Sequence, residues 1–226
     1  MKLSSPPFEI FVYPSLGTSR TYLIKTKSEK ILIDPGWPSF VLPILKSHPD
    51  ISLIVLTHRH YDHHGAAPLV NKLTRAPIVA AATANTTAIE IPPVHTFIFK
   101  LIRSWARAGF FFPRLTDFAN IALKLQSVDA ILKDGDFIDK SGLFKVVSTP
   151  GHTSDSICIY SPKYQVLFSG DTIVNPFNKP RWVRLITNRQ QFSDTQHKIA
   201  RLQIKKVYPG HGEPFLLTDA KMLYEH

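Results

Sequence analysis

The chain has 226 residues, 44% of them hydrophobic and 19% charged, with a formal net charge of +10. That composition excludes a disordered or fibrous chain, and the length is near the upper size for a single core, so one domain over 1–226 is expected. The sole cysteine, Cys158 in Ile157-Cys158-Ile159-Tyr160, excludes an intrachain disulfide and reads as a buried thiol, and no run of about 18 apolar residues is available to span a bilayer. Met1 to Pro7 lacks the apolar stretch of a signal peptide, which makes the cytoplasm the default location.

In chain order, residues 8–13, 20–25 and 30–34 predict short strands of an antiparallel meander, with turns at Leu16-Gly17-Thr18 and Lys27-Ser28-Glu29. A helix over 41–47 follows, then a buried strand over 51–56, a helix over 66–73 with Pro68 tolerated near its first turn, and a strand over 78–81. The stretch at about 84–133 interrupts this pattern. Val94, Phe97, Ile98, Leu101, Ile102 and Trp105 recur at helical spacing, with Lys100, Arg103 and Arg107 on other faces, before Phe110-Phe111-Phe112-Pro113. A helical insertion packed on the rest, a lid or cap over a cleft, and a dimer contact or membrane-surface helix, the homodimer forming through 94–112, all fit this pattern. Strands are expected again at Phe137, 143–148, 156–160 and 166–169, then a helix over 190–202 and a last short strand at 207–208. The two halves of the chain share one order of elements, in which strands lead into a loop rich in polar donors and then into a helix.

Thr57-His58-Arg59-His60-Tyr61-Asp62-His63-His64-Gly65 directly follows the apolar run at 51–56. In an extended loop His58 and His60 face one side, and Asp62 and His63 another, so one loop can feed two neighbouring ions. Tyr61 then points away from the donors and receives no role. His64 reads as a helix-start residue with a structural hydrogen bond, or as a proton donor to a leaving group. Three further donors stand on turns after apolar stretches: His152 in Thr149-Pro150-Gly151-His152, Asp171 in Ser169-Gly170-Asp171-Thr172, and His211 in Tyr208-Pro209-Gly210-His211-Gly212. A hard carboxylate among neutral imidazoles suits zinc, and also accepts iron or manganese. Paired ions about 3.5–4 Å apart are a device for activating water.

These residues resemble the metallo-beta-lactamase-fold hydrolase superfamily from Asp34 to His211, with H-x-H-x-D-H at His58, His60, Asp62 and His63, followed by a lone His, a Gly-Asp and Pro-Gly-His-Gly. The resemblance implies an α/β (α+β) fold, a four-layered αββα sandwich with its metal site at one edge between two sheets. It implies two zinc ions per chain, one held by His58, His60 and His152, the other by Asp62, His63 and His211. Asp171 would bridge them, with a hydroxide completing both spheres. Asp34, in Ile33-Asp34-Pro35, would orient a ligand imidazole from behind, and Asp62 would also orient the nucleophile. The motifs around His152 and Asp171 are similar to glyoxalase II-like thioester hydrolases, although 15 residues after His211 leave no room for that branch's glutathione-binding helical region. His60 stands where the oxygen-reducing di-iron branch usually has Glu, which favours hydrolysis.

Between Lys179 and Lys206, eight cations (Lys179, Arg181, Arg184, Arg189, Lys198, Arg201, Lys205 and Lys206) face only Asp194. A solvated basic face, a pocket for an anionic substrate such as the thioester of a charged thiol, and a nucleic-acid contact using Trp182 and Phe192 are the readings, the last not favoured. The expected activity is dinuclear zinc hydrolysis of an ester, thioester or lactone bond in a small, partly apolar substrate, with the metal-bridging hydroxide as nucleophile. The alternative is a phosphodiesterase or nuclease using the same ions and the basic 179–206 segment.

Overall fold

The computed structural model describes residues 5–81, 125 and 127–224. Among these, one sheet has the order β1-β2-β3-β4-β5-β6: β1 (Glu9–Pro14), β2 (Arg20–Lys25), β3 (Lys30–Ile33), β4 (Leu53–Val55), β5 (Ile78–Ala81) and β6 (Ala130–Leu132). The first three strands form the antiparallel meander, and β3 to β6 are parallel. The second sheet has the order β13-β12-β9-β8-β7, from β7 (Lys145–Ser148), β8 (Ile157–Ser161), β9 (Val166–Gly170), β12 (Lys206–Pro209) and β13 (Phe215–Leu216). A short ribbon of β10 (Ile173–Val174) and β11 (Arg181–Trp182) stands beside it.

Alternation along the strands builds the layers. Tyr22, Ile24, Ile31, Ile33 and Val55 point inward to meet Phe144, Val146, Ile159, Phe168 and Tyr208 of the second sheet, a core in which most side chains are buried. Their neighbours Leu23, Leu32 and Ile54 point outward onto α1 (Pro38–Ser47) and α3 (Ala67–Thr74), through Val41, Ile44, Leu69 and Val70. On the far side Val147, Cys158, Leu167 and Val207 meet Phe192 and Ile199 of α4 (Arg189–Ala200). The result is the expected αββα sandwich. Strands β3 and β4, covered on both faces, read as continuous apolar runs for that reason. Burying one such aliphatic side chain contributes about 1.5–3 kcal/mol.

Two expectations change. Residues 57–65 do not stay extended, because α2 (Tyr61–His64) closes a helical turn in which the amides of His63 and His64 both donate to His60 O at 3.0 Å. The stretch at about 84–133 ends inside the sandwich, since Ala130–Leu132 pairs in parallel with β5 as the sheet's last strand. The helical pattern at 94–105, the Phe110-Phe111-Phe112 cluster and the homodimer contact through 94–112 lie outside the described residues.

Candidate metal centre

Every donor singled out in the sequence follows the C-terminal end of a strand. Asp34 follows β3, His58 and His60 follow β4, His152 lies on the β7–β8 loop, Asp171 directly follows β9, and His211 comes two residues after β12. The α2 turn supplies Asp62 and His63. One edge of the sandwich therefore gathers them all.

The donors converge in two groups. His58, His60, His152 and Asp171 form one, and Asp62, His63 and His211 the other, each with donor atoms within 4.8 Å of one another. In the first, His60 Nδ1 lies 3.1 Å from both His58 Nε2 and His152 Nε2. In the second, His63 Nε2 is 3.3 Å from His211 Nε2, and Asp62 Oδ2 is 3.2 Å from His211 Nε2. Asp171 touches both: Oδ2 is 3.5 Å from His152 Nε2 and 3.4 Å from His211 Nε2, and Oδ1 is 3.4 Å from His63 Nε2. A third grouping, Asp34 with His58 and His63, is already satisfied by hydrogen bonds. Asp34 accepts from the Thr57 amide at 2.8 Å, the Thr57 hydroxyl at 2.6 Å and His63 Nδ1 at 3.0 Å, so it supports the cluster from behind.

The cluster fits metal on its own chemistry. One nitrogen, His60 Nδ1, cannot satisfy two facing imidazole nitrogens through a single proton, whereas a cation between them uses every lone pair. Asp171 Oδ1 is buried without a hydrogen-bond partner among the described residues. The rear nitrogens are already anchored: His152 Nδ1 donates to Leu185 O at 2.6 Å, His58 Nδ1 lies 3.1 Å from Thr57 Oγ1, and His211 Nδ1 lies 3.0 Å from Thr18 Oγ1. Such partners fix tautomer and ring direction. Thr18 and the Leu185 carbonyl escaped the sequence reading. The first appeared only as a turn residue, and a carbonyl leaves no mark in composition.

Two glycines make room for the cluster, Gly210 for Asp171 and Gly170 for Thr57. A Cβ on Gly210 would collide with Asp171 Oδ1, and one on Gly170, at φ +48°, would sit 2.6 Å from Thr57 Oγ1.

The electrostatics differ between the groups. Burial and the neighbouring imidazoles of His63 and His60 push His58 well below its usual range. Burial alone would also lower His63, but the carboxylates of Asp171, Asp62 and Asp34 outweigh it and raise His63 to about 9. His211 is likewise raised against its burial by Asp171 and Asp62. Asp62 is held low by His63 and His211 despite its burial, and Asp171 by His211 and His63.

His64 takes neither expected role. It is fully buried, burial lowers it to about 4, and neither ring nitrogen has a hydrogen-bond partner among the described residues. Tyr61 packs against it with ring centroids 5.2 Å apart. In the basic segment, Trp182 and Phe192 are buried in the core under α4, which removes them as stacking platforms. Lys198 pairs with Asp134 at 2.7 Å.

Comparison with known proteins places this architecture. The model of the metallo-beta-lactamase superfamily matches residues 15–211. Curated relatives include an atrochrysone carboxyl ACP thioesterase from Aspergillus fumigatus, 25% identical over 87% of this chain and 51% of its own. A hydroxyacylglutathione hydrolase from Ectopseudomonas mendocina is 28% identical over 73% of this chain and 51% of its own. The chain spans about half the length of these relatives. Among solved structures, the BLEG-1 B3 metallo-beta-lactamase superposes with a TM-score of 0.69 at 21% identity, covering 95% of this chain and 96% of its own. TTHA1623 in a di-iron-bound form gives 0.63 at 22% identity, covering 91% and 94%. With its donor-bearing loops at one edge of an αββα sandwich and a family match over most of its length, the chain belongs to the metallo-beta-lactamase superfamily.

Proposed function

We propose that this chain is a hydrolase with two metal positions, His58, His60 and His152 at one and Asp62, His63 and His211 at the other, sharing Asp171. It would cleave an ester, thioester or lactone bond of a small, partly apolar substrate. The observation that carries the reading is the double convergence on Asp171. Zinc is the ion we assign, from the imidazole-rich donor set; iron is the competitor, since one structural neighbour is a di-iron form. Metal held here would supply a water acidic enough to attack near neutral pH and a positive charge against the oxygen of the scissile bond.

The chain's own side chains set direction. Asp62 and His211 are 29% and 24% exposed, against 7% for Asp171, so substrate approaches from the Asp62 and His211 side. Asp62, with its carboxylate at that opening, is placed to accept a hydrogen bond from the attacking water. Asp34 stays behind His63 and touches no substrate. Residues 172–193 follow Asp171, and near their start the Asn175 amide donates to His211 O at 2.7 Å. They contain Lys179, Arg181, Arg184 and Arg189 without one acidic residue, and no ion pair to these four occurs among the described residues. A cationic segment that begins directly after Asp171 suits an anionic arm on the substrate. Thioesters are the first bond to test, because one relative is named as a thioesterase. The same four cations support a second reading, phosphodiester cleavage, although the burial of Trp182 and Phe192 weakens a nucleic-acid contact. A cytoplasmic location remains part of the proposal, resting on the single buried thiol Cys158.

Initial rates on p-nitrophenyl esters, an acyl thioester, a lactone and bis-p-nitrophenyl phosphate, before and after chelation and metal restoration, test this reading. Chelator-sensitive acyl hydrolysis supports it. Phosphodiester cleavage alone promotes the second reading, and absence of turnover on all four sinks both.

A further inference from the structure

Arg59 stands between two donors of the three-histidine group. His58 Nε2 and His60 Nδ1 face each other at 3.1 Å, and the side chain between them reaches instead to the loop between β7 and β8. There Arg59 Nε donates to Asp155 Oδ2 at 3.0 Å. The two side chains are only 11% and 6% exposed, so the pair is shielded from the screening that weakens surface ion pairs.

Asp155 belongs to the turn that carries His152. Two segments distant in the chain thus meet at three levels. The Ile157 amide donates to Thr57 O at 2.9 Å, His152 Nε2 faces His60 Nδ1 at 3.1 Å, and the ion pair joins them from behind. The backbone bond fixes only the roots of the two loops. The imidazole contact cannot hold them, because His60 Nδ1 faces a second ring as well. The turn is closed on itself, with the Thr153 amide donating to Ser156 Oγ at 3.2 Å and the two hydroxyls 2.7 Å apart, so a force applied at Asp155 is passed to His152.

We propose that Arg59 and Asp155 are a positioning pair that sets the separation of His60 from His152, and with it the metal affinity of the three-histidine position alone. The inference rests on the reading of two metal positions. Cobalt(II) titration against a competing chelator, with the visible spectrum of the bound ion, tests it in two backgrounds. In a His211→Ala background, where the three-histidine position remains, Arg59→Ala or Asp155→Ala lowers cobalt affinity about 10- to 100-fold and shifts the spectrum, as expected when support behind metal ligands is lost. The double substitution costs no more than either single one, and Asp155→Glu recovers most of the loss. In a His152→Ala background the same substitutions change affinity by less than about twofold. Equal losses in both backgrounds, or none in the first, overturn the proposal. If the alanine variants do not fold, Arg59→Lys and Asp155→Asn carry the test, with a smaller loss expected in the first background only and equal losses overturning it. Failure of the wild type to take up two equivalents of cobalt marks failure of the two-position reading itself, whatever the pair variants do.

Discussion

His58, His60 and His152 are 1%, 7% and 2% exposed and share a single carboxylate, Asp171, whereas Asp62 and His211 stand 29% and 24% exposed at the opening with carboxylates on both sides of the imidazoles. In the buried half, burial and the neighbouring imidazoles of His63 and His60 hold His58 well below its usual range. The open half offsets raised imidazoles with depressed carboxylates. The difference teaches a division of labour. On the proposed two-position reading, the His58 lone pair would be available to metal without proton competition, while metal at His63 and His211 would have to displace protons, on the side from which substrate would approach.

The comparison breaks most completely at the shared residue. Asp171→Ala should weaken both positions by more than the roughly 100-fold that loss of a mere supporting partner costs, which metal analysis after dialysis reads as fewer equivalents retained. Retention of two would refute the sharing.

Acid should separate the halves next. With His63 raised to about 9, metal affinity of the open half should fall about tenfold per pH unit below that value for each proton displaced, while proton competition at His58, lowered by burial, should begin only at lower pH. Competition titrations between pH 6 and 9 check the slope. In the metal-free protein the sign is opposite. The His63 contribution to stability is fully present below the ordinary value of 6.5 and is lost as pH rises through about 9, so the unfolding temperature of that form should fall over this window.

A smaller effect is expected behind the ligands. Asp34→Asn removes the charged acceptor for His63 Nδ1 and should cost about 10- to 100-fold in metal affinity, mainly in the open half. Thr18→Val removes one neutral partner of His211 and should cost about 2- to 10-fold, the worth of one net hydrogen bond. Equal effects from the two would show that charge behind the imidazole is immaterial.

Much of this cluster was legible because metal chemistry restricts residue types. His58, His60, Asp62 and His63 lie within one short segment, and His152, Asp171 and His211 each stand after a turn signal. Strand β2 and strand β5 were readable to the residue because apolar runs bounded by turns need no distant partner to declare them. Strands β6, β10, β11 and β13 were not, being two or three residues long and defined by hydrogen bonds to segments elsewhere in the chain. The α2 turn was missed because alternating donors imitate a strand. Trp182 and Phe192 looked like part of a basic surface since a charge count is blind to which side chains face the core.

The central claim is tested most directly by elemental analysis of the purified wild-type protein beside its His211→Ala variant. Two equivalents of metal per chain in the first and one in the second are predicted. One equivalent or none in the wild type, or no difference between the two proteins, would contradict it.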